Sequence, residues 1–570
     1  AAASAGLERA APAWRRHTGG CLWRGASSPA VCRALPAAAA APVQPRRVPH
    51  AVGLCKPLSA PLVFRRTAAY LDSSDYTTSV KSCESPEEVL TFMAEHADCD
   101  TRAQEAALRL LGRMVGGQIN EEAYSKVVED GRFHAILSSL ASRLDDCDAR
   151  MLSLIADASA RFRTSTKELS ELAQRLAEVV VRREDTFSPR SLTNVAIALA
   201  VRGVRDVATV EFIRAEAFKL MDDLDPDHCV TLLEAFRRWG VFDRQLVDFV
   251  VERMCDEVDR FAARDVVEAF GVVSRIGLPR GFLLRRLATL AFENLGQFTP
   301  RELTKMAYSL AKLRFLTPGN LDDLVDAISK NANRLTPSQI TELLYAIAMV
   351  GSMHQIDMAR KLVDLYMNTE KGAPRKSLGS LIDFAWSLCA LDMVDEYENE
   401  FKAVLAEIFD RSPPQNRVPL IKFFDVICAL QLQHKAFGVE VPQQWNAACG
   451  DADRFEMDRL ESSRLHNEIV MRFDQLRGTA NGTRWQLRMQ RNGKCGPYTV
   501  DMLDEDSKVA LDVETVSWPV SRRMKHKLLE GLGFRPLRLD YWEWRRARTE
   551  EDQSTFLERE VRRVLEEAEG

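Results

Sequence analysis

Ten basic residues fall within 27 positions near the C-terminal end of the chain. Arg522, Arg523, Lys525, His526 and Lys527 come first, and Arg535, Arg538, Arg545, Arg546 and Arg548 follow around Tyr541, Trp542 and Trp544. An aromatic plane stacks on an unpaired base of any identity while a guanidinium or ammonium holds the backbone phosphate, so this mixture suits single-stranded RNA. The competing reading packs Trp542 or Trp544 into a core and leaves the arginines on a solvated face. Other chemistries lack their residues: twelve cysteines are scattered without one C-x-x-C pair, and there is no nucleotide-binding glycine loop, Ser-His-Asp order or His-Cys metal spacing. The reading is no cofactor.

A second set of cations keeps step with a repeat. Ser188-Pro189, Asp225-Pro226, Ala262-Ala263, Thr299-Pro300 and Thr336-Pro337 recur every 37 residues, and Gly203, Gly240, Gly277, Arg314 and Gly351 follow in the same frame. Ser, Asp or Thr before Pro reads as an N-cap with proline in the first turn, and the glycine can take the left-handed conformation that closes a helix. Between them lie apolar residues at helical spacing, such as Leu192, Val195 and Leu199 or Leu303, Met306 and Leu310. Second helices follow, for example Val207 to Met221, Gln245 to Val258 and Asn320 to Ser329. One such hairpin cannot bury both faces, so neighbours must stack into a solenoid. One phase of the frame holds Val201, Arg238, Arg275, Lys312 and Met349, which nominates Arg238, Arg275 and Lys312 as a phosphate-facing column; the plainer alternative is that they complement the helix dipole. Clear units span 188–372, and degenerate ones on both sides extend the array to about 84–437.

Length and charge set the frame for this array. A chain of 570 residues exceeds what one core organises, and no apolar run is long enough to cross a bilayer, so no membrane partner is expected. The formal charge is -5, yet residues 1–71 hold ten basic residues and one acid, Glu8, in a setting of Ala, Ser and Pro. That is how a transit peptide reads, which assigns 1–70 to a leader or disordered arm and points to the mitochondrial matrix, with a plastid as the alternative. What remains is net acidic, so any RNA surface has to be a local stripe.

Past residue 437 the periodicity stops, and 438–461 reads as a polar linker with Pro442 and Gly450. Arg454 to Leu476 reads as helix. Arg484–Met489, Tyr498–Leu503 and Val509–Val513 read as strands, with Asn-Gly-Lys-Cys-Gly-Pro as a turn between the first two. A basic helix over 522–532, a strand over 537–540 and a closing helix over 555–567 complete a small α/β domain.

Residues 462–566 resemble a RAP domain through Ser463-Arg-Leu-His-Asn-Glu468, Tyr498-Thr-Val-Asp501-Met, Val509-Ala-Leu-Asp512-Val-Glu514, Met524-Lys-His-Lys-Leu-Leu-Glu-Gly-Leu-Gly-Phe534 and Leu539-Asp-Tyr-Trp-Glu-Trp544. The repeats resemble the 37-residue heptatricopeptide and related octotricopeptide repeats of organellar RNA-binding proteins. The resemblance implies a mainly α protein, a helical-hairpin solenoid followed by a small α/β domain with a PD-(D/E)XK nuclease-like fold. In such nucleases acids on adjacent strands hold Mg²⁺ and a lysine assists water; Glu468, Asp501, Asp512 and Glu514 take the acidic positions here. The residue two after Asp512 is Glu514 where the nuclease pattern has lysine, and the Gly-Pro turn and His usual after it are missing; Lys508 or Lys525 is a conjectural substitute. The expectation is therefore binding without cutting.

The expected RNA contacts are Arg238, Arg275, Lys312, Arg522, Arg523, Lys525, Lys527, Arg538, Trp542, Trp544, Arg545 and Arg546. The expected partner is single-stranded RNA or ribosomal RNA, with mitochondrial ribosomal proteins as further partners, in RNA processing or stability or as a component of a mitochondrial ribosome. The alternatives are a metal-dependent endoribonuclease and a protein-only scaffold.

Overall fold

The computed structural model describes residues 73–116, 121–164, 166–183, 186–241, 243–276, 281–368, 377–461, 464–478, 489–514, 523–540, 544 and 546–566. The Arg-rich start, Gly277 and the stretch around Lys371 lie outside them.

Each clear unit begins as its sequence requires. Ser188, Thr299 and Thr336 accept a hydrogen bond from the backbone N–H three residues on, and Thr299 and Thr336 close reciprocal capping boxes with Glu302 and Gln339. The first helices are Pro189–Val201, Pro226–Trp239, Ala263–Ile276, Pro300–Lys312 and Pro337–Val350. Gly203, Gly240 and Gly351 end them at φ of 75°, 71° and 68°, and Arg314 and Asp392 hold the same left-handed position at 53° and 58° without being glycine. The apolar columns of all five units are buried, none more than 2% exposed. Two of the second helices, Val207–Lys219 and Arg244–Asp256, stop two residues early, because Met221 and Val258 begin short 3₁₀ turns, Met221–Asp223 and Val258–Arg260, that lead into the next cap, while Pro318–Ser329 ends where expected.

First helices pack on first helices to form the inner row of a solenoid. The row runs from Thr101–Gly116 through Ala149–Ala160 and the five clear units to Leu378–Ala390 and Arg417–Leu432. The array also extends beyond both expected limits. At its start the helix Ser73–Lys81 packs on Thr101–Gly116. At its end the segment expected as a linker over 438–461 is the helix Gln443–Glu461, the outer partner of Arg417–Leu432. Trp445, Cys449 and Ala452 form its apolar stripe, all at most 2% exposed, and the Trp445 ring lies 5.1 Å from that of Phe423. Three apolar residues among many polar ones gave the stripe little weight, and Pro442 precedes the first turn, where it breaks nothing.

The helix expected over Arg454 to Leu476 is seen on both sides of residues 462–463, which lie outside the described residues, as the end of Gln443–Glu461 and as Arg464–Gly478, and a four-stranded sheet follows in the order β1 (Gln490–Cys495), β2 (Tyr498–Asp504), β3 (Val509–Glu514), β4 (Arg535–Asp540). β1 occupies the stretch expected as a turn; Asn492 does have a positive φ, but the strand runs through it and the chain reverses at Gly496-Pro497. The strand expected over Arg484–Met489 falls almost wholly outside the described residues. β3 and β4 are parallel, joined by the crossover helix Arg523–Gly531, and the helix Glu550–Glu566 closes the domain. The architecture is an α-helical repeat array followed by a small α/β domain.

This sheet feeds two cores. Met502, Leu511, Val513, Leu537 and Leu539 pack with Ile469, Phe473, Phe556 and Leu557 of the domain's own helices. Tyr498, Val500, Ala510, Met524, Leu528 and Leu529 belong instead to the core of the array, so the domain is seated on the solenoid.

Candidate nucleic-acid interface

Two neighbouring surfaces of the inner row differ in what reaches them. Over the last units the row is covered. Arg523 donates from Nη1 to the carbonyl of Val350 at 2.8 Å, and Lys527 pairs with Asp392 and donates to the carbonyl of Cys389 at 3.3 Å. Both carbonyls end inner helices, so these cations sit at the negative ends of two helix dipoles. One turn apart on the crossover helix, they bridge two consecutive units. Tyr498 donates its hydroxyl hydrogen to Asp425 Oδ1 at 3.1 Å, and the Trp386 indole donates to Oδ2 at 3.2 Å. Burial, opposed by these two bonds, pushes the Asp425 carboxyl up to about 7. Beside it Lys422 pairs with Asp383 at 2.5 Å and stands 4.2 Å from the centre of the Tyr345 ring. Tyr345 lies between Tyr308 and Trp386, with centroids 5.1 and 5.3 Å away, in a ladder whose central rung is fully buried. Tyr345 and Trp386, both fully buried, are packing and closed to bases.

The next units toward the N-terminus carry the expected column. Arg237 and Arg238 each reach Glu234 at 2.8 Å, and Arg275 reaches the same carboxylate from the next unit at 3.2 Å. Burial opposes ionisation of Glu234, but the bond from Arg237 and the charges of Arg275, Arg237 and Arg238 hold it down to about 2. Three guanidinia on one carboxylate leave two positive charges on the groove. Lys312, half-buried, lies 5.5 Å from the Tyr308 ring; burial and the charges of Lys422, Arg275 and Arg237, opposed by Asp383, push it down to about 8. A cation whose neighbours disfavour its charge gains most from an anion. Arg237 and the Glu234 hub went unnoticed in the sequence, although Glu234 and Arg238 stand at ion-pair spacing on one helix. The two remaining column positions are Val201, exposed, and Met349, half-buried.

Within the α/β domain the acidic residues Asp512, Asp501 and Glu468 are already engaged. Asp512, fully buried, receives Lys525 at 3.0 Å on Oδ1 and His526 at 3.1 Å on Oδ2. Lys525 also donates to the Thr499 carbonyl at 2.8 Å. Asp501 accepts the Val513 N–H at 2.5 Å on one oxygen, and its other oxygen stands 3.4 Å from His466 Nδ1. Glu468 accepts from Trp544 Nε1 at 3.3 Å and from Gln553 at 3.1 Å. The donor set does not fit Mg²⁺: its oxygens face protein groups, among them Lys525 and two histidines, His526 and His466, and among the described residues Glu468, Asp501 and Asp512 do not gather around one point. Asp225, Asp227 and His228 do gather, with Asp225 and His228 forming the capping box of Pro226–Trp239.

Several of the expected RNA contacts have partners within the protein. Arg523 and Lys527 lock the domain to the array, Lys525 is buried against Asp512, and Trp544, 1% exposed, is core against Phe556. Alternation of basic and aromatic residues could not separate these roles, because pairing depends on which face of the helix meets the solenoid. Arg546 is exposed. Arg522, Trp542 and Arg545, and the side chains of Arg538 and Glu514, lie outside the described residues.

Residues 133–355, from inside the first degenerate units to the middle of the fifth clear one, match the family model of the RNA-editing substrate-binding complex 6 protein. Residues 516–560 match the RAP domain model, which spans the crossover helix, β4 and the start of the last helix. No curated protein matches the chain.

Proposed function

Taking as premise that the chain carries a RAP domain seated on the end of a helical-hairpin array, we propose that it binds single-stranded RNA along the inner face of the array, with the RAP domain closing one end of that face. The observation that carries this reading is the cation group of Arg237, Arg238, Arg275 and Lys312, net positive on a chain whose net charge is negative. Burial first and the neighbouring cations second push Lys312 down, and a phosphate beside it opposes both. The likeness of residues 133–355 to a family named for an RNA-editing substrate-binding complex supports both the RNA ligand and work within a multiprotein assembly. The acid-poor, Arg-rich start supports the mitochondrial matrix as the place of action, in RNA processing or stability or on ribosomal RNA within a mitochondrial ribosome.

Replacing Arg238, Arg275 and Lys312 together by Gln lowers the slope of log affinity against log salt by about 2, at roughly 0.7 per phosphate contact on a single strand. An unchanged slope with a lower melting temperature assigns the three residues to the helix ends alone. The endonuclease reading finds no support in the engaged carboxylates of Asp512 and Asp501, and a protein-only scaffold gives no role to the positive charge in excess of Glu234.

A further inference from the structure

Far from the RAP domain, near the other end of the inner row, the solenoid holds a cavity of about 710 Å³ lined by five arginines and one acid, Asp157. Three consecutive inner helices build it: Thr101–Gly116, Ala149–Ala160 and Pro189–Val201. Arg109 is paired with Glu105 at 3.1 Å and Arg161 with Asp157 at 2.6 Å. Arg113, Arg150 and Arg190, one from each helix, are exposed, and their side chains make no hydrogen bond or ion pair among the described residues. Elsewhere in this protein arginines commonly find a carboxylate, as Arg132, Arg214 and Arg360 do. Arg113, Arg150 and Arg190 line one cavity from three successive helices, and its one acid, Asp157, is already engaged by Arg161, so an anionic ligand would bring them hydrogen-bond partners.

We propose that this cavity is a second phosphate-binding site of the array, taking the backbone of single-stranded RNA through Arg113, Arg150 and Arg190. It lies on the same face as the downstream cations, since its Asn194 stands three periods before Lys305, which pairs with Glu268 across the inner row at 2.6 Å. Each guanidinium offers a planar fork that matches two phosphate oxygens, and three forks on three successive units follow a strand in the way the units themselves are spaced. RNA held here and at Arg238, Arg275 and Lys312 is gripped at two points of one groove, which raises affinity through effective concentration. The 37-residue frame hid the site, because Arg190 and its partners fall outside the column that the clear repeats define.

This inference rests on the RNA-binding reading, and the test separates the two. Full-length protein is titrated with a labelled oligoadenylate at several salt concentrations, as wild type, as the triple variant Arg113→Gln, Arg150→Gln, Arg190→Gln, and as the corresponding triple Arg→Lys variant. The expected result is tight binding by wild type, a salt slope lower by about 2 in the Gln variant, and a slope near wild type in the Lys variant, which shows that the loss is one of charge and not of folding. Wild-type binding with an unchanged slope in the Gln variant overturns the cavity proposal and leaves the RNA reading standing. Absence of wild-type binding overturns both. Inorganic tripolyphosphate is the second arm: if it binds through the three arginines while the oligonucleotide does not, the site belongs to a free polyphosphate and the RNA assignment is wrong.

Discussion

Tyr498 of the sheet donates its hydroxyl hydrogen to Asp425 of the last inner helix across 73 residues of sequence, and the same carboxyl accepts the indole hydrogen of Trp386. This buried contact, with Arg523 on Val350 and Lys527 on Asp392, fixes the RAP domain to the solenoid instead of leaving it on a tether. It also makes the seating sensitive to pH. The Asp425 carboxyl is raised to about 7 in the folded chain from an ordinary value near 3.8. Its contribution to stability is therefore fully present below about 3.8 and is lost as pH rises through about 7. We expect the melting temperature of the seated domain to fall between pH 5 and pH 8 and the fall to flatten in Asp425→Asn, which keeps an acceptor for Trp386 and does not titrate. Equal slopes in the two proteins would show that another group controls the seam. Tyr498→Phe should cost about 0.5–1.5 kcal/mol below pH 7, the range for a hydrogen bond between neutral partners, because Asp425 keeps its proton there.

Lys312 gives the RNA groove a pH dependence of opposite chemistry. Its ammonium is lowered to about 8 from 10.5, so the folded chain gains stability relative to the unfolded one as pH rises from about 8 to 10.5, while the groove loses a cation. Affinity for an oligoadenylate, whose bases do not titrate in this window, should fall several-fold from pH 7 to pH 9. Lys312→Arg, always charged, should remove most of that fall. A pH profile shared by both proteins removes Lys312 from the binding surface.

How much of this was legible differs between the two halves. The caps at Ser188, Thr299 and Thr336 and the left-handed glycines at 203, 240 and 351 announce the hairpins, because each is a local requirement of backbone geometry that only a few residue types meet. The first half of the helix Gln443–Glu461, ahead of Arg454, was missed because Trp445, Cys449 and Ala452 are a sparse apolar stripe among polar residues. The roles of Arg523, Lys525 and Lys527 were not readable at all. They alternate along one short helix between the array, Asp512 and the array again, and nothing local in the sequence says that the solenoid lies against that face.

Trp544 separates packing from stacking. Buried against Phe556 and bonded to Glu468, it supports the RAP domain from inside. Trp544→Ala should cost about 3–5 kcal/mol of stability, read as an earlier unfolding transition, and Trp544→Phe should leave RNA affinity at wild-type level. A large loss of affinity in a stably folded Trp544→Phe protein would return this residue to the RNA surface.

The engaged carboxylates predict a protein that does not cut. Asp512 faces Lys525 and His526, and Asp501 faces the Val513 N–H and His466. Purified protein incubated with excess labelled RNA and Mg²⁺ should release no fragments above a protein-free control. Multiple-turnover cleavage abolished by Asp512→Asn would establish an active site in place of this closed network.

Crosslinking tests the central claim most directly. Full-length protein irradiated with single-stranded RNA and mapped by mass spectrometry should yield adducts from the inner helices, foremost Pro226–Trp239, Ala263–Ile276 and Pro300–Lys312. Adducts confined to outer helices such as Arg244–Asp256 and Pro318–Ser329, or none at all, would contradict an RNA groove on the inner face of the array.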